Sequence, residues 1–312
     1  MKVLFVSSGN SHQKDGIVTF IKSQGLSLRE EGVNLDFYPV KGHGFKGYFK
    51  HIKSLRKHVK ANQYDIIHAH YGLIGFLCTI SFLRTPMVLS VMGDDAYGDF
   101  NLKGKRVWSS YFGMFLTQIA LLFSKQIIVK SKNILSVIPY KKRAHVIANG
   151  VNFEQFKPFD DELVKNKLLF LADVNNPRKN YQLVERALAL LNDDEITLVN
   201  PFPISHEEFP QYLNNCSVFI LTSYNEGSPN VIKEAMACNI PIVSTDVGDV
   251  REVIGHTEGC FITDFDAQDL ADKIRLALAY GKRTRGREDI CHLEAGVVAK
   301  KIKQIYQNII ES

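Results

Sequence analysis

The 312-residue chain has few cysteines, and they form no pattern. The five, at positions 78, 216, 238, 260 and 291, are scattered, and none forms a C-x-x-C pair. That argues against a disulfide framework or a cysteine zinc site and for a reducing compartment. A membrane-spanning run is missing too. The longest apolar stretch, residues 111–123, is broken by Thr117 and Gln118. It falls short of the ~20 residues a span needs and reads as a buried helix. There are no repeats and no low-complexity segments. The net charge of +5 is modest. It does not call for nucleic acid, but it favours an anionic membrane surface or a phosphorylated ligand. Residues 1–6 read as a first β-strand, too short in apolar content for a signal peptide.

What is present reads as an ordinary globular protein, 45% hydrophobic and 23% charged, long enough for two domains of ~100–200 residues each. Short apolar runs at 3–6, 34–39, 65–69, 87–91 and 126–129 alternate with helical patterns such as 18–31 and 49–61. The second half repeats the theme with runs at 167–171, 196–199, 217–221, 240–244 and 260–263. This alternation predicts two α/β domains with parallel sheets. The turn-rich segment 149–161 marks the boundary. Residues 297–310 carry Val298, Ile302, Ile305 and Ile309 at helical spacing.

The richest segment is Ser223-Tyr-Asn-Glu226-Gly-Ser-Pro-Asn-Val-Ile-Lys-Glu234-Ala-Met-Ala. It lies between two apolar strand-like runs. Ser228 reads as an N-cap and Pro229 as the first helical residue. Glu226 then sits where a strand ends and a helix begins, the edge at which open α/β sheets bind ligands. The helix start suits a phosphate, and Glu234, further along, suits hydroxyls of the same ligand. Together these suit a sugar nucleotide.

This segment resembles the E-x7-E motif of retaining glycosyltransferases of family four. Asp65-Ile-Ile-His68-Ala-His70-Tyr-Gly, Ser90-Val-Met-Gly-Asp94-Asp95, Asn149-Gly-Val-Asn152, Pro177-Arg-Lys179-Asn and Val247-Gly-Asp-Val-Arg-Glu252 follow the family's landmarks in order. The Glu-Gly-Ser-Pro-Asn form resembles a bacterial surface-polysaccharide subgroup. The resemblance implies the GT-B fold, two Rossmann-like doubly wound domains facing across a cleft. Residues 1–150 would be the acceptor-side domain and 151–296 the nucleotide-sugar domain, with 297–312 a helix packing back on the first. The implied activity is transfer of a sugar from a UDP- or GDP-sugar to a glycan or lipid-linked hydroxyl acceptor, with retention and without a cofactor or bound metal. The implied location is the cytoplasm, peripheral on the inner face of the cell membrane. A nucleotide-sugar 2-epimerase of the same fold and a non-catalytic sugar-nucleotide-binding protein are the alternatives.

The resemblance also implies roles. Glu226 and Asp95 would be catalytic. Gly16, Arg178, Lys179, Gly227, Ser228, Pro229, Asn230, Val231 and Glu234 would bind the donor, Glu234 at the ribose and Lys179 at the diphosphate. Two departures stand out: Met92 where the family often has histidine, and Asp173 where it often has arginine. Other features are read from the residues. Asp264-Phe-Asp266 matches a metal-binding D-x-D but opens a helical pattern, so capping is expected. His68 and His70 share a strand face and are expected in packing or acceptor lining. Lys46, Lys50, Lys53, Lys57 and Lys60 form one basic stripe, apart from an apolar face with Ile52, Leu55 and Val59. It is either a solvated face or a surface for anionic lipid.

Overall fold

The protein is represented by a computed structural model that describes residues 1–11, 14–42, 44–81, 83–98, 106–159 and 163–312, with 44–46 and 109 described by backbone only. The side chain of Lys46, one member of the basic stripe, lies outside the described residues. Two compact units are present, Met1–Gly150 together with Ala295–Ser312, and Val151–Glu294.

The first unit contains β1 (Lys2–Ser8), α1 (Thr19–Glu30), β2 (Asn34–Val40), α2 (Gly44–Phe49), α3 (His51–Asn62), β3 (Ile66–His70), α4 (Gly72–Ile80), β4 (Met87–Val91), α5 (Asp94–Tyr97), α6 (Trp108–Phe123), β5 (Gln126–Val129), α7 (Lys132–Val137) and β6 (Ala144–Val146). Its sheet runs β2-β1-β3-β4-β5-β6, every pair parallel. Strand residues such as Val3, Leu4, Phe5 and Val6 are fully buried. A parallel sheet covered on both faces requires such continuous apolar strands. One face packs α1 and the final helix of the chain. The other packs α3, α4, α6 and α7.

The second unit contains β7 (Lys167–Phe170), α8 (Tyr181–Leu191), β8 (Thr197–Val199), α9 (Phe209–Asn214), β9 (Val218–Leu221), α10 (Asn230–Ala237), β10 (Ile242–Thr245), α11 (Val250–Ile254), β11 (Cys260–Thr263), α12 (Ala267–Tyr280) and α13 (Gly286–Asp289). Its parallel sheet runs β11-β10-β9-β7-β8. The strand order reverses between β7 and β9. That switch point opens a crevice at the carboxyl ends of those strands. Helix α14 (Ala295–Ile310) belongs to the first unit. Its Val298, Ile302 and Tyr306 join Phe5, Ile21 and Leu28 in one core.

Three expectations are corrected. The edge strand β6 was not foreseen, because three residues with an exposed end carry little apolar signal. Ser228 and Pro229 do not open the helix. Helix α10 starts at Asn230, Pro229 is the extended residue before it, and no side chain caps it. The run 111–123 is helical but not a buried helix. Leu116, Ala120 and Leu121 face the core, while Tyr111, Phe112, Phe115, Leu122 and Phe123 are exposed. Close packing sets that orientation. A Cβ on Gly72 of α4 would overlap Thr117, and one on Gly75 would stand 3.0 Å from Ala120 Cβ.

Candidate functional site

The switch point of the second unit gathers the carboxylate and the cation that the sequence singled out. Glu226 lies on the loop between β9 and α10. Its Oε1 accepts hydrogen bonds from Lys179 Nζ at 2.6 Å and Ser223 Oγ at 2.9 Å. Lys179 closes the short helical turn Pro177–Lys179 that follows β7, and the Asn176 side chain accepts from Arg178 N in that turn. The two loops are stitched along their backbones. Tyr224 N donates to Arg178 O at 2.9 Å, and Thr222 Oγ1 donates to Lys179 O and Asn180 O. The lysine is therefore held at Glu226 by more than its own charge.

The loop after β10 closes the other side. Gly248 has φ +61°, and a Cβ there would stand 2.8 Å from Gly227 O and 3.0 Å from Glu226 O. Both the backbone angle and the close approach require glycine. Next to it, Asp249 Oδ2 accepts from Ser228 Oγ at 2.7 Å and lies 3.8 Å from the buried Lys233 Nζ. Lys233 Nζ also donates to Ser228 Oγ at 2.5 Å. Burial lowers the Lys233 pKa, while the Asp249 and Glu234 charges oppose that shift. The Ser228 hydroxyl thus bridges a buried ion pair instead of capping α10. A buried cation and anion need such hydrogen bonds to offset their lost hydration.

Glu234 projects from α10, and its Oε1 pairs with His206 Nε2 at 2.8 Å. Gln155 fixes the imidazole, its Nε2 donating to His206 O at 3.0 Å and meeting Nδ1 at 3.2 Å. Burial would lower the His206 pKa, but the hydrogen bond and charge of Glu234, with Glu207 nearby, raise it above the usual value. His206, Lys233, Asp249 and Gly248 are site residues to which the sequence reading gave no role. A lone histidine 28 positions from its partner carries no local signal.

In the first unit, Asp95 stands at the start of α5 and is buried. Its Oδ1 accepts from Met92 N and Gly93 N, and its Oδ2 from Gly72 N, each at 2.9 Å. Burial raises its pKa to about 6 while these amides pull it down. The carboxylate fastens the loop after β4 to the start of α4. Gly16 has φ +75°, and a Cβ there would stand 2.5 Å from Gly9 O, which explains the glycine. Asp15 accepts from Ile17 N at 3.0 Å and pairs with Lys22 at 2.6 Å. His68 is a packing residue, its ring nitrogens at 2.6 Å from Tyr306 Oη and 2.8 Å from Ser90 Oγ. His70 stacks on it at 4.2 Å. Burial, with the charge of Lys130, holds the pKa of His68 well below the usual range.

Two acidic positions have local work. Asp266 caps α12 by accepting from Asp269 N at 2.9 Å. Asp173 accepts from Asn175 N at 2.9 Å in the turn after β7.

Two Rossmann-like units in this chain order define the GT-B class of glycosyltransferase. Among solved structures, sucrose-phosphate synthase from Thermosynechococcus elongatus superposes with a TM-score of 0.82 at 18% identity, over 99% of each chain. Anabaena HepE, solved with UDP and glucose, superposes at 0.75 and 14% identity, over 99% of this chain and 100% of that one. The chain carries two glycosyltransferase-type domains, the first of the family-four type. Residues 16–155 match the family described as Glycosyltransferase Family 4, and residues 144–288 match Glycosyl transferases group 1. An uncharacterised glycosyltransferase of Methanocaldococcus jannaschii is 29% identical over 69% of this chain and 66% of that protein. A Campylobacter jejuni N,N'-diacetylbacillosaminyl-diphospho-undecaprenol α-1,3-N-acetylgalactosaminyltransferase is 28% identical over 35% of this chain and 30% of that protein. The chain thus covers less than two thirds of either relative's length.

Proposed function

We propose that this chain transfers a sugar from a nucleotide-diphosphate sugar to a hydroxyl acceptor, with retention at the anomeric carbon. The observation that carries the reading is the Lys179–Glu226 pair at the switch point between β7 and β9. When donor enters, Lys179 turns from Glu226 to the diphosphate, and Glu226 is released to the sugar near its reacting carbon. The backbone of Gly227, Ser228, Pro229, Asn230 and Val231 lines the sugar and phosphate. The first amides of α10 add a positive dipole end. Glu234, oriented by His206, takes the ribose hydroxyls.

In the reaction, the bond from the anomeric carbon to the phosphate oxygen breaks. The bond to the acceptor oxygen forms on the same face. The acceptor's proton passes to the departing phosphate oxygen, so no strong general base is needed. Lys179, with Arg178 beside it in the turn, offsets the charge that develops on the diphosphate. Asp95 contributes by holding the loop that carries Met92.

UDP is the first donor base to test, given the ligand of HepE, and a lipid-linked glycan is the first acceptor, given the Campylobacter relative. Lys50, just before α3, and Lys53, Lys57 and Lys60 on it are exposed while Leu55 and Val59 are buried, which supports an anionic lipid surface as partner. The test is a thermal-shift screen of UDP-, GDP- and ADP-sugars, followed by NMR of the product's anomeric centre. A donor at a hundred times its Kd stabilises by about 2.7 kcal/mol. Inversion at the anomeric carbon, or turnover without acceptor as in an epimerase, would overturn the reading.

A further inference from the structure

We infer that the outer face of α6 is a docking surface that seats on an anionic lipid bilayer. Helix α6 carries no charged residue over its sixteen positions. Its inner face is clamped against α4. Its outer face is Trp108, Tyr111, Phe112, Phe115, Leu122 and Phe123, all exposed, with Trp108 at 87% and Phe123 at 64%. At 100° per residue these six fall within a stripe about 120° wide. A contiguous apolar stripe of this kind on a water-facing helix marks an interaction site.

Charge complementarity selects the occupant. Residues 100–153 contain nine Lys and Arg and no Asp or Glu. Part of that charge is pinned to the end of the stripe. The Arg143 guanidinium donates to Ser124 O at 2.6 Å and Leu121 O at 3.3 Å, at the C-terminal end of α6. Lys125 follows the helix, and Lys141 and Lys142 precede Arg143; all three lysines are exposed. A cleft of about 370 Å³ opens there, lined by Phe123, Ser124, Lys125, Arg143, Leu83 and Arg84. An apolar stripe running into a cationic cleft matches acyl chains below anionic headgroups.

Helices α3, α4 and α6 cover the same face of the first sheet. The exposed lysines of α3 therefore belong to the same helical layer as the stripe. Among the described residues no helix is long and apolar enough to cross a membrane. The sixteen residues of α6 lie in the interface instead of spanning it. The docking gains its purpose from the lipid-linked acceptor of the proposed function, on which it rests, so the vesicle-binding test uses neither donor nor acceptor.

Trp108 is the single tryptophan of the chain, so its fluorescence reports this face alone. The full chain is mixed with phosphatidylglycerol-containing vesicles and with pure phosphatidylcholine vesicles at low salt. The anionic vesicles should shift Trp108 emission to the blue, let brominated lipid quench it, and sediment the protein. Raised salt should weaken binding. The Phe112→Ser/Phe115→Ser/Phe123→Ser variant should keep its fold, since these side chains are exposed, and bind at least about tenfold more weakly. Equal binding by a folded variant, or no shift and no sedimentation with wild type, overturns the proposal. A wild type that is dimeric by light scattering, with blue-shifted Trp108 before lipid is added, also overturns it and makes this face a self-interface. Transfer to a water-soluble acceptor, assayed separately, distinguishes loss of docking from loss of the enzyme reading.

Discussion

Lys179 and Glu226, 47 residues apart in sequence, meet at 2.6 Å where β7 and β9 end. The two form an ion pair. Under the proposed function, donor binding exchanges that contact for two others, one at the diphosphate and one at the sugar.

The two variants should therefore fail differently. Glu226→Ala should lower kcat by about 10²–10³, because a contact beside the reacting carbon strengthens in the transition state, with donor affinity little changed. Lys179→Met should raise the donor Kd about tenfold, as expected for a lost charged hydrogen bond. Steady-state kinetics and calorimetric titration with donor separate the two effects. Wild-type kcat and KM in both variants would show that the chemistry lies elsewhere.

Glu234→Ala should raise donor KM with little change in kcat, since ribose contacts are alike before and during reaction. Its partner adds a pH dependence. The folded pKa of His206 is raised above its ordinary value. The protonated pair therefore stabilises fully below about pH 6.5 and loses its effect as pH climbs through the raised folded value. The Tm advantage of wild type over His206→Gln should shrink between about pH 6 and pH 9. A constant difference across that range would mean that His206 only packs.

Gly248→Ala should destabilise the second unit by about 1–3 kcal/mol, from the positive φ and the approach to Glu226 O and Gly227 O. Activity should fall with it, because the loop that the new Cβ displaces is the one that carries Glu226. Thermal melts and donor titration check both parts. An unchanged melt would show that the loop after β10 is loosely held.

Asp266→Ala should cost about 1 kcal/mol through the lost cap of α12, and leave kcat and KM unchanged. Activity should also survive EDTA. Loss on chelation with recovery in manganese, together with an inactive Asp266→Ala enzyme, would return Asp264 and Asp266 to metal chemistry.

Much of this architecture is legible in the sequence because parallel strands buried on both faces are plain apolar runs. The ten central and flanking strands are found this way, while β6 is not, having three residues and an exposed Val146. Lys179 and Glu226 stand out as residues, but their meeting depends on β9 lying next to β7, which spacing along the chain does not encode. Ser228 shows how tertiary demand overrides a local signal. Ser-Pro ahead of an apolar pattern is a good helix start, yet the buried Lys233–Asp249 pair takes the hydroxyl. Helix α6 shows the opposite limit. Its apolar residues run all round, and composition cannot tell the side that meets the sheet from the side that meets solvent.

The return of the chain at α14 has a consequence for engineering. The second unit is an insertion within the first, leaving after Gly150 and rejoining at Ala295. Its two ends are already adjacent, since Val151 pairs with Glu294 and a Cβ on Gly150 would stand 2.8 Å from Ala295 Cα. Residues 151–294 therefore form a cassette with matched ends. The corresponding cassette from a relative with another nucleotide preference can be spliced in without new linkers. Under the proposed function, the chimaera should keep its acceptor and change its donor.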